Sequence, residues 1–172
     1  MVRIVSMLLF AVLMLTVQSC AQNKLFVSSD GRFSIDLNSS PSEDKNSAEA
    51  RVGGKKMWWR TEGVSFMVSY ADNPNAKKEL AEGAVNAAAD GYLGAIPKSA
   101  QLVSRTSIDL NGYPGIEVWS RESDGYTAVT RYFMVETRLY CTMALWTAGP
   151  LDADVIRRLD SFKVDVQTPV KY

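Results

Sequence analysis

Residues 112–163 constrain this chain more than any other stretch. Three apolar-rich runs, 114–120, 126–136 and 139–147, follow one another with only short polar returns between them. Each is of strand length and rich in β-branched and aromatic residues, which reads as three consecutive antiparallel strands. The first return is Ser123-Asp124-Gly125, and the second is Thr137-Arg138. Asp-Gly between apolar runs is a strong hairpin signal, because the left-handed turn conformation suits Gly and tolerates Asp. Gly149-Pro150 stops the third run, and a helix-period segment, 152–162, follows with Val155, Leu159 and Phe162 on one stripe.

Two of these strands are apolar on both faces. Tyr132 and Met134 oppose Val129, Phe133 and Val135, while Leu139, Cys141, Met143 and Leu145 oppose Tyr140, Ala144 and Trp146. Strands of that kind sit centrally, with cover on both sides. Upstream, residues 25–37 read as a hairpin turning at Asp30-Gly31, and 38–50 as a loop with almost no large apolar residue. The second half of 51–60 reads as a strand, and 64–70 alternates with the period of a half-buried one. Residues 77–93, rich in Ala and Glu, read as a helix packed closely on the sheet. Residues 102–110 give a further strand, with Leu102, Ile108 and Leu110 of one parity, and Asn111-Gly112 turns it. The expected fold class is α+β: an antiparallel β-sheet sandwiched by two α-helices. There is no internal repeat, and no linker divides 25–172.

The first twenty residues read as a targeting segment. Arg3 supplies a positive start, and 4–17 is an uncharged run with only Ser6 and Thr16 as polar members. The run is long enough for a signal segment and short for a spanning helix. It ends in Val17-Gln18-Ser19-Cys20-Ala21, and a small residue before Cys resembles a bacterial lipobox, with Cys20 the lipidated mature N-terminus. Ser19-x-Ala21 also permits ordinary cleavage after Ala21, which gives a soluble periplasmic or secreted protein. Residues 1–20 are thus expected to be a lipoprotein signal peptide, 21–24 a tether and 25–172 one domain. The expected location is a bacterial cell envelope, on a membrane surface.

The charge balance is even, 19 Lys+Arg against 19 Asp+Glu. Without Arg3, 18 bases face 19 acids, so the chain has no field with which to hold nucleic acid. The chain has no His, which excludes a Ser-His-Asp triad, a Cys-His pair and any His metal site. Gly53-Gly54-Lys55-Lys56 lacks the spacing of a phosphate loop and reads as a turn. Asp72-Asn73-Pro74-Asn75 lacks the spacing and closing Glu of a calcium loop and reads as a helix cap. Glu43-Asp44 and Glu122/Asp124 read as solvated turn carboxylates. Cys141 lies mid-strand and reads as a small buried apolar residue. No catalytic residue, metal or cofactor is expected. One surface stands out: Lys55, Lys56, Trp58, Trp59 and Arg60 could hold a planar or anionic ligand, or a partner, by stacking and charge. Adjacent strand residues point to opposite faces, so Trp58 and Trp59 cannot both enter one core.

Short pieces along the chain resemble the PsbP-like superfamily. They are Asp30-Gly31-Arg32-Phe33-Ser34-Ile35, Asn111-Gly112-Tyr113-Pro114-Gly115, Arg138-Leu139-Tyr140 and Leu159-Asp160-Ser161-Phe162-Lys163. The resemblance implies the PsbP-like α+β fold and lies nearest to the bacterial envelope lipoproteins of that superfamily. It supplies no shared catalytic residue. The expected role is a non-catalytic envelope lipoprotein that binds an unknown protein partner or stabilises a complex. The alternative is a binder of a small ligand or lipid.

Overall fold

Two antiparallel sheets build the molecule. The computed structural model describes residues 25–61, 63–121, 125–147 and 153–166. The elements are β1 (Leu25–Ser28), β2 (Phe33–Asp36), β3 (Ser42–Glu43), β4 (Lys55–Thr61), β5 (Val64–Asp72), α1 (Ala81–Ala95), β6 (Gln101–Leu110), β7 (Tyr113–Arg121), β8 (Tyr126–Val135), β9 (Arg138–Thr147), α2 (Ala153–Asp160) and β10 (Lys163–Val164). The large sheet has seven strands in the order β3-β4-β5-β9-β8-β7-β6, and the small one three, β1-β2-β10. The targeting segment and tether, the Ser123-Asp124 half of one hairpin turn, Glu122 and the Gly149-Pro150 stop lie outside the described residues.

β9 runs down the middle of the large sheet, paired with β5 on one side and β8 on the other. That is why it carries apolar residues of both parities, Tyr140, Ala144 and Trp146 on one face and Leu139, Cys141, Met143 and Leu145 on the other. On one face Phe66, Val68, Tyr70, Phe133, Tyr140 and Trp146 form the main core. The small sheet and α2 close it. β2 contributes Phe33 and Ile35, and the chain just beyond it contributes Leu37; α2 and the residue after it contribute Val155, Leu159 and Phe162. Phe162 stacks on Phe133 at 6.0 Å and meets Tyr140 at 5.7 Å. On the other face α1 lies across β7 and β8. Val85 packs with Met134, and Ala89 with Ile116 and Val118. The alanines allow the close approach; Gly83, Gly91 and Gly94 face open space.

The fold is therefore α+β, but sheet dominates it. The two helices do not sandwich the large sheet. One lies on part of one face, and the other shares the opposite face with a second sheet. Three further expectations change. The return between β8 and β9 is Glu136-Thr137, with Glu136 at φ 54, and Arg138 already belongs to β9. Residues 38–50 are not wholly irregular, because β3 pairs Ser42 with Trp58 and Glu43 with Met57. Leu102 does not share a face with Ile108 and Leu110. A bulge between Leu102 and Ser104 absorbs one residue, so Leu102 turns outward and is exposed. At the Asn111-Gly112 return both residues adopt positive φ, 55 and 87, the conformation that a two-residue hairpin requires.

Candidate functional site: the Trp58 groove

Strand alternation divides the five residues singled out on β4. Met57 pairs with Val68 and Trp59 with Phe66, which sets both into the main core. Trp59 is 1% exposed; its indole N–H donates to the Ser39 carbonyl at 2.9 Å, and its ring meets Phe26 edge-on at 5.1 Å. Lys55 reaches the β1–β2 turn and pairs with Asp30 at 3.0 Å. That ammonium holds the Asp30 carboxyl below its usual range. Trp59 and Lys55 are thus committed to holding the fold. Lys56, Trp58 and Arg60 face the other way. Trp58 pairs with Met67 and is half-buried, and Lys56 Nζ stands 5.6 Å from its ring centroid. The structure puts these three on one face, with only Lys56 and Trp58 in contact and lining a common groove, and separates them from Lys55 and Trp59 by the thickness of the sheet.

They lie at the part of the sheet face that α1 leaves open. α1 packs on β7 and β8, whereas this region is floored by β4, β5 and β9. A groove of about 320 Å³ results, with a mostly apolar lining that includes Trp58, Met67, Leu139, Met143, Tyr92 and Tyr132. Tyr92, from the last turns of α1, forms one wall, and its hydroxyl hydrogen-bonds the Ser120 hydroxyl at 2.9 Å. Glu49, which leads into the short turn Ala50–Val52, also lines the groove. Glycines place that turn. Gly53 sits at φ 79, and a Cβ on Gly54 would lie 1.9 Å from the Tyr70 carbonyl oxygen. Only glycine lets the chain pass this close to β5.

The floor is chemically quiet. Cys141 is 8% exposed, and burial pushes its thiol up to about 12. At neutral pH the thiolate, the reactive form, is therefore absent. Burial likewise raises the Tyr132 phenol. Among the described residues no three His, Cys, Asp or Glu side chains are placed to hold a metal ion. Asp72 binds Arg138, and Asn73 Oδ1 accepts the Asn75 N–H at 3.2 Å. Asp72 thus ends β5, the chain turns just after it, and among the described residues no side chain caps α1.

A second polar constellation sits on the core side of the sheet, where β5 ends at Asp72 and β9 begins at Arg138, and has a structural role. Arg138 grips Asp72 with two parallel bonds, Nε to Oδ1 at 2.6 Å and Nη2 to Oδ2 at 2.7 Å. Its Nη1 donates to the Asp30 carbonyl at 2.7 Å, and the guanidinium lies 4.5 Å from the Tyr70 ring centroid. The Tyr140 hydroxyl donates to the Gly31 carbonyl at 2.8 Å. The Arg138 bond holds the Asp72 carboxyl below its usual range, and burial raises Tyr140. These bonds clamp the β1–β2 turn onto the large sheet. Asp30-Gly31 and Arg138-Leu139-Tyr140, far apart in sequence, are two halves of one joint.

A wider depression of about 650 Å³ between α1 and the β6–β7 hairpin carries Glu79, Glu82, Asn86, Ser107 and Asp109. Its carboxylates lie on exposed residues. The Trp58 groove is the better candidate because an aromatic side chain and a paired cation are built into it.

The superposition that decides the fold is with the solution structure of cyanobacterial PsbP (CyanoP) from Synechocystis sp. PCC 6803, at a TM-score of 0.55 and 12% identity over 83% of this chain and 92% of that one. The fold is PsbP-like. A crystal structure from Bacteroides thetaiotaomicron VPI-5482 also matches this PsbP-like chain, with a TM-score of 0.51 and 13% identity over 85% of it. The match covers 50% of the Bacteroides chain. At such identities the likeness extends to the fold alone. No protein-family model matches the chain, and no curated protein matches it.

Sequence reasoning found Trp58 and Lys56 but missed Met67, Tyr92, Tyr132 and Met143 as their neighbours. The signal was present, because Met67 and Met143 fall on the outward parity of their strands. Met143 read as covered core because nothing in the sequence says how far α1 reaches, and Met67 read as the outward side of a half-buried strand.

Proposed function

We propose that this protein is a non-catalytic, lipid-anchored module of a bacterial cell envelope that binds a partner protein through the Trp58 groove. One observation carries the reading: half-exposed Trp58 lies on an apolar strip with Met67 and Met143, on the part of the sheet face beyond α1. An aromatic anchor flanked by adaptable methionines and a cation is the composition of a protein-binding hot spot. The quiet floor supports binding rather than catalysis. The anchor rests on Ser19-Cys20 after the apolar run.

The groove's volume favours a second reading, a small apolar or lipid ligand. About 320 Å³ falls at the lower end of the range of ligand sites, roughly 300–1,000 Å³.

Crosslinking of the full-length protein in its native envelope, followed by pull-down, tests both. The protein-partner reading expects one crosslinked species that the Trp58→Ala variant loses while remaining folded. An unchanged crosslink pattern in that variant removes the groove from the account. A lipid or metabolite that co-purifies with the wild type and is absent from the variant supports the ligand reading. For the anchor, Cys20→Ala is expected to leave the membrane fraction. An intact mass showing an unacylated N-terminus beyond residue 20 contradicts it.

A further inference from the structure

The small sheet has an outer face that the core does not use. In β1, Phe26 points inward and packs on the main core, so Leu25 and Val27 point outward. They are 58% and 65% exposed. With Ser34, Lys163 and Val164 they line a shallow depression of about 500 Å³. Scattered exposed apolar residues need no explanation, but two on one face at the first turn of a tethered domain do. Leu25 stands five residues after Cys20. The chain reaches at most ~3.6 Å per residue, so no more than ~18 Å separates them.

We infer that this outer face, carrying Leu25 and Val27, rests on the membrane surface that anchors Cys20, and that the Trp58 groove is consequently displayed away from it. The inference rests on the anchored reading proposed above. Its geometric part does not. β2 and α2 pack on the face of the large sheet formed by Val68, Tyr140 and Trp146, whereas the groove is floored by Met67, Cys141 and Met143. Successive strand residues point to opposite sides. The layers therefore run from the Leu25–Val27 face, through the small sheet and the core, to the large sheet and then the groove. The tether enters at the first layer and the groove opens at the last. A short tether limits how far the domain can leave the bilayer. The face that loses water-exposed apolar surface on contact is the one that settles there. Lys163, Arg32 and Asp165 also line this depression, so its charge is mixed, and the apolar pair Leu25 and Val27 rather than charge carries the contact.

The test uses the full-length lipidated protein bound to vesicles of phosphatidylethanolamine and phosphatidylglycerol that carry a headgroup nitroxide quencher. A thiol-reactive fluorophore is placed by Val27→Cys or by Arg60→Cys; buried Cys141 does not compete for it. The expected result is several-fold stronger quenching at position 27 than at position 60. A Leu25→Asp, Val27→Asp double variant with the probe at Ser34→Cys should still float with the vesicles, with quenching reduced to the position-60 level. Equal quenching at 27 and 60 in vesicle-bound protein overturns the orientation and leaves the anchor standing. Wild-type protein that does not float with the vesicles overturns both.

Discussion

On one face of the large sheet, Tyr70, Phe133, Tyr140 and Phe162 close with Phe33 into a continuous aromatic cluster under the small sheet and α2. On the other face, α1 packs over β7 and β8, and beyond it Trp58 and Met143 remain half-exposed. The same strands supply both faces, residue by residue in alternation. The difference lies in how far the covering layer extends. Where cover is complete, the residues hold the fold together; where it stops, apolar residues such as Trp58 and Met143 stay half-exposed. Trp58 and Trp59 are adjacent in sequence and fall on opposite sides of this division.

The largest effect should come from uncovering the closed face. A chain ending at Gly149 loses Val155, Leu159 and Phe162, each worth about 1.5–3 kcal/mol of burial, against a total of about 5–15 kcal/mol for a small domain. Such a chain is expected to lose its cooperative thermal transition in calorimetry. A sharp transition near the full-length temperature would mean that the closed face does not need α2.

The next effect separates the two tryptophans. Trp59→Ala removes a side chain that is 1% exposed and should cost about 3–5 kcal/mol. Trp58→Ala should cost about 1 kcal/mol, the ordinary size for a site that is only partly buried. Urea unfolding of both variants reads the difference, and equal costs would erase the contrast between the faces.

Arg138→Ala opens the clamp at the end of both faces. Breaking a buried pair typically costs about 3–5 kcal/mol, and the partial exposure of Asp72 points to the lower end. The clamp also sets an acid dependence. The folded Asp72 carboxyl titrates below its unfolded value of about 3.9. Its ion pair therefore contributes stability above that pH, and the contribution is lost as pH falls through the folded pKa. Arg138→Ala should flatten this acid limb without abolishing it, since Lys55 lowers Asp30 and Arg158 lowers Asp154 in the same way. An unchanged limb would show that the pair contributes nothing.

Cys141→Ser should have a small effect, comparable to that of Trp58→Ala. Cys141 pairs across the sheet with Ser69 on one side and Tyr132 on the other, both of which carry hydroxyls. An introduced hydroxyl therefore finds partners, and the cost should sit near the low end of the roughly 1–3 kcal/mol expected for an unsatisfied one. Wild-type Cys141 should resist thiol reagents under native conditions, and rapid labelling would place it on the open side.

Residues 64–70 were legible as a strand by their period of two, the two central strands by apolar runs of strand length between short returns, and the hairpins by Asn111-Gly112 and the Gly125 end of the next return. The clamp was visible only as short pieces, Asp30-Gly31 and Arg138-Leu139-Tyr140. Their partnership is a long-range contact that periodicity does not encode. The sandwich of two helices failed for a physical reason. An apolar strand face demands cover but does not specify its kind, and a three-stranded sheet satisfied half of that demand. At the candidate site, the alternation rule stated that Trp58 and Trp59 must part; which one entered the core depended on the pairing of Trp59 with Phe66.

The central claim is that the half-covered face is where this protein meets its partner. Hydroxyl-radical footprinting, read by mass spectrometry on purified protein and on native envelopes, tests it most directly. Trp58 and Met143 should oxidise in the purified protein and be protected in the envelope, while core Trp59 and Met134 stay unlabelled in both. Equal oxidation of Trp58 and Met143 in the two samples would contradict the account.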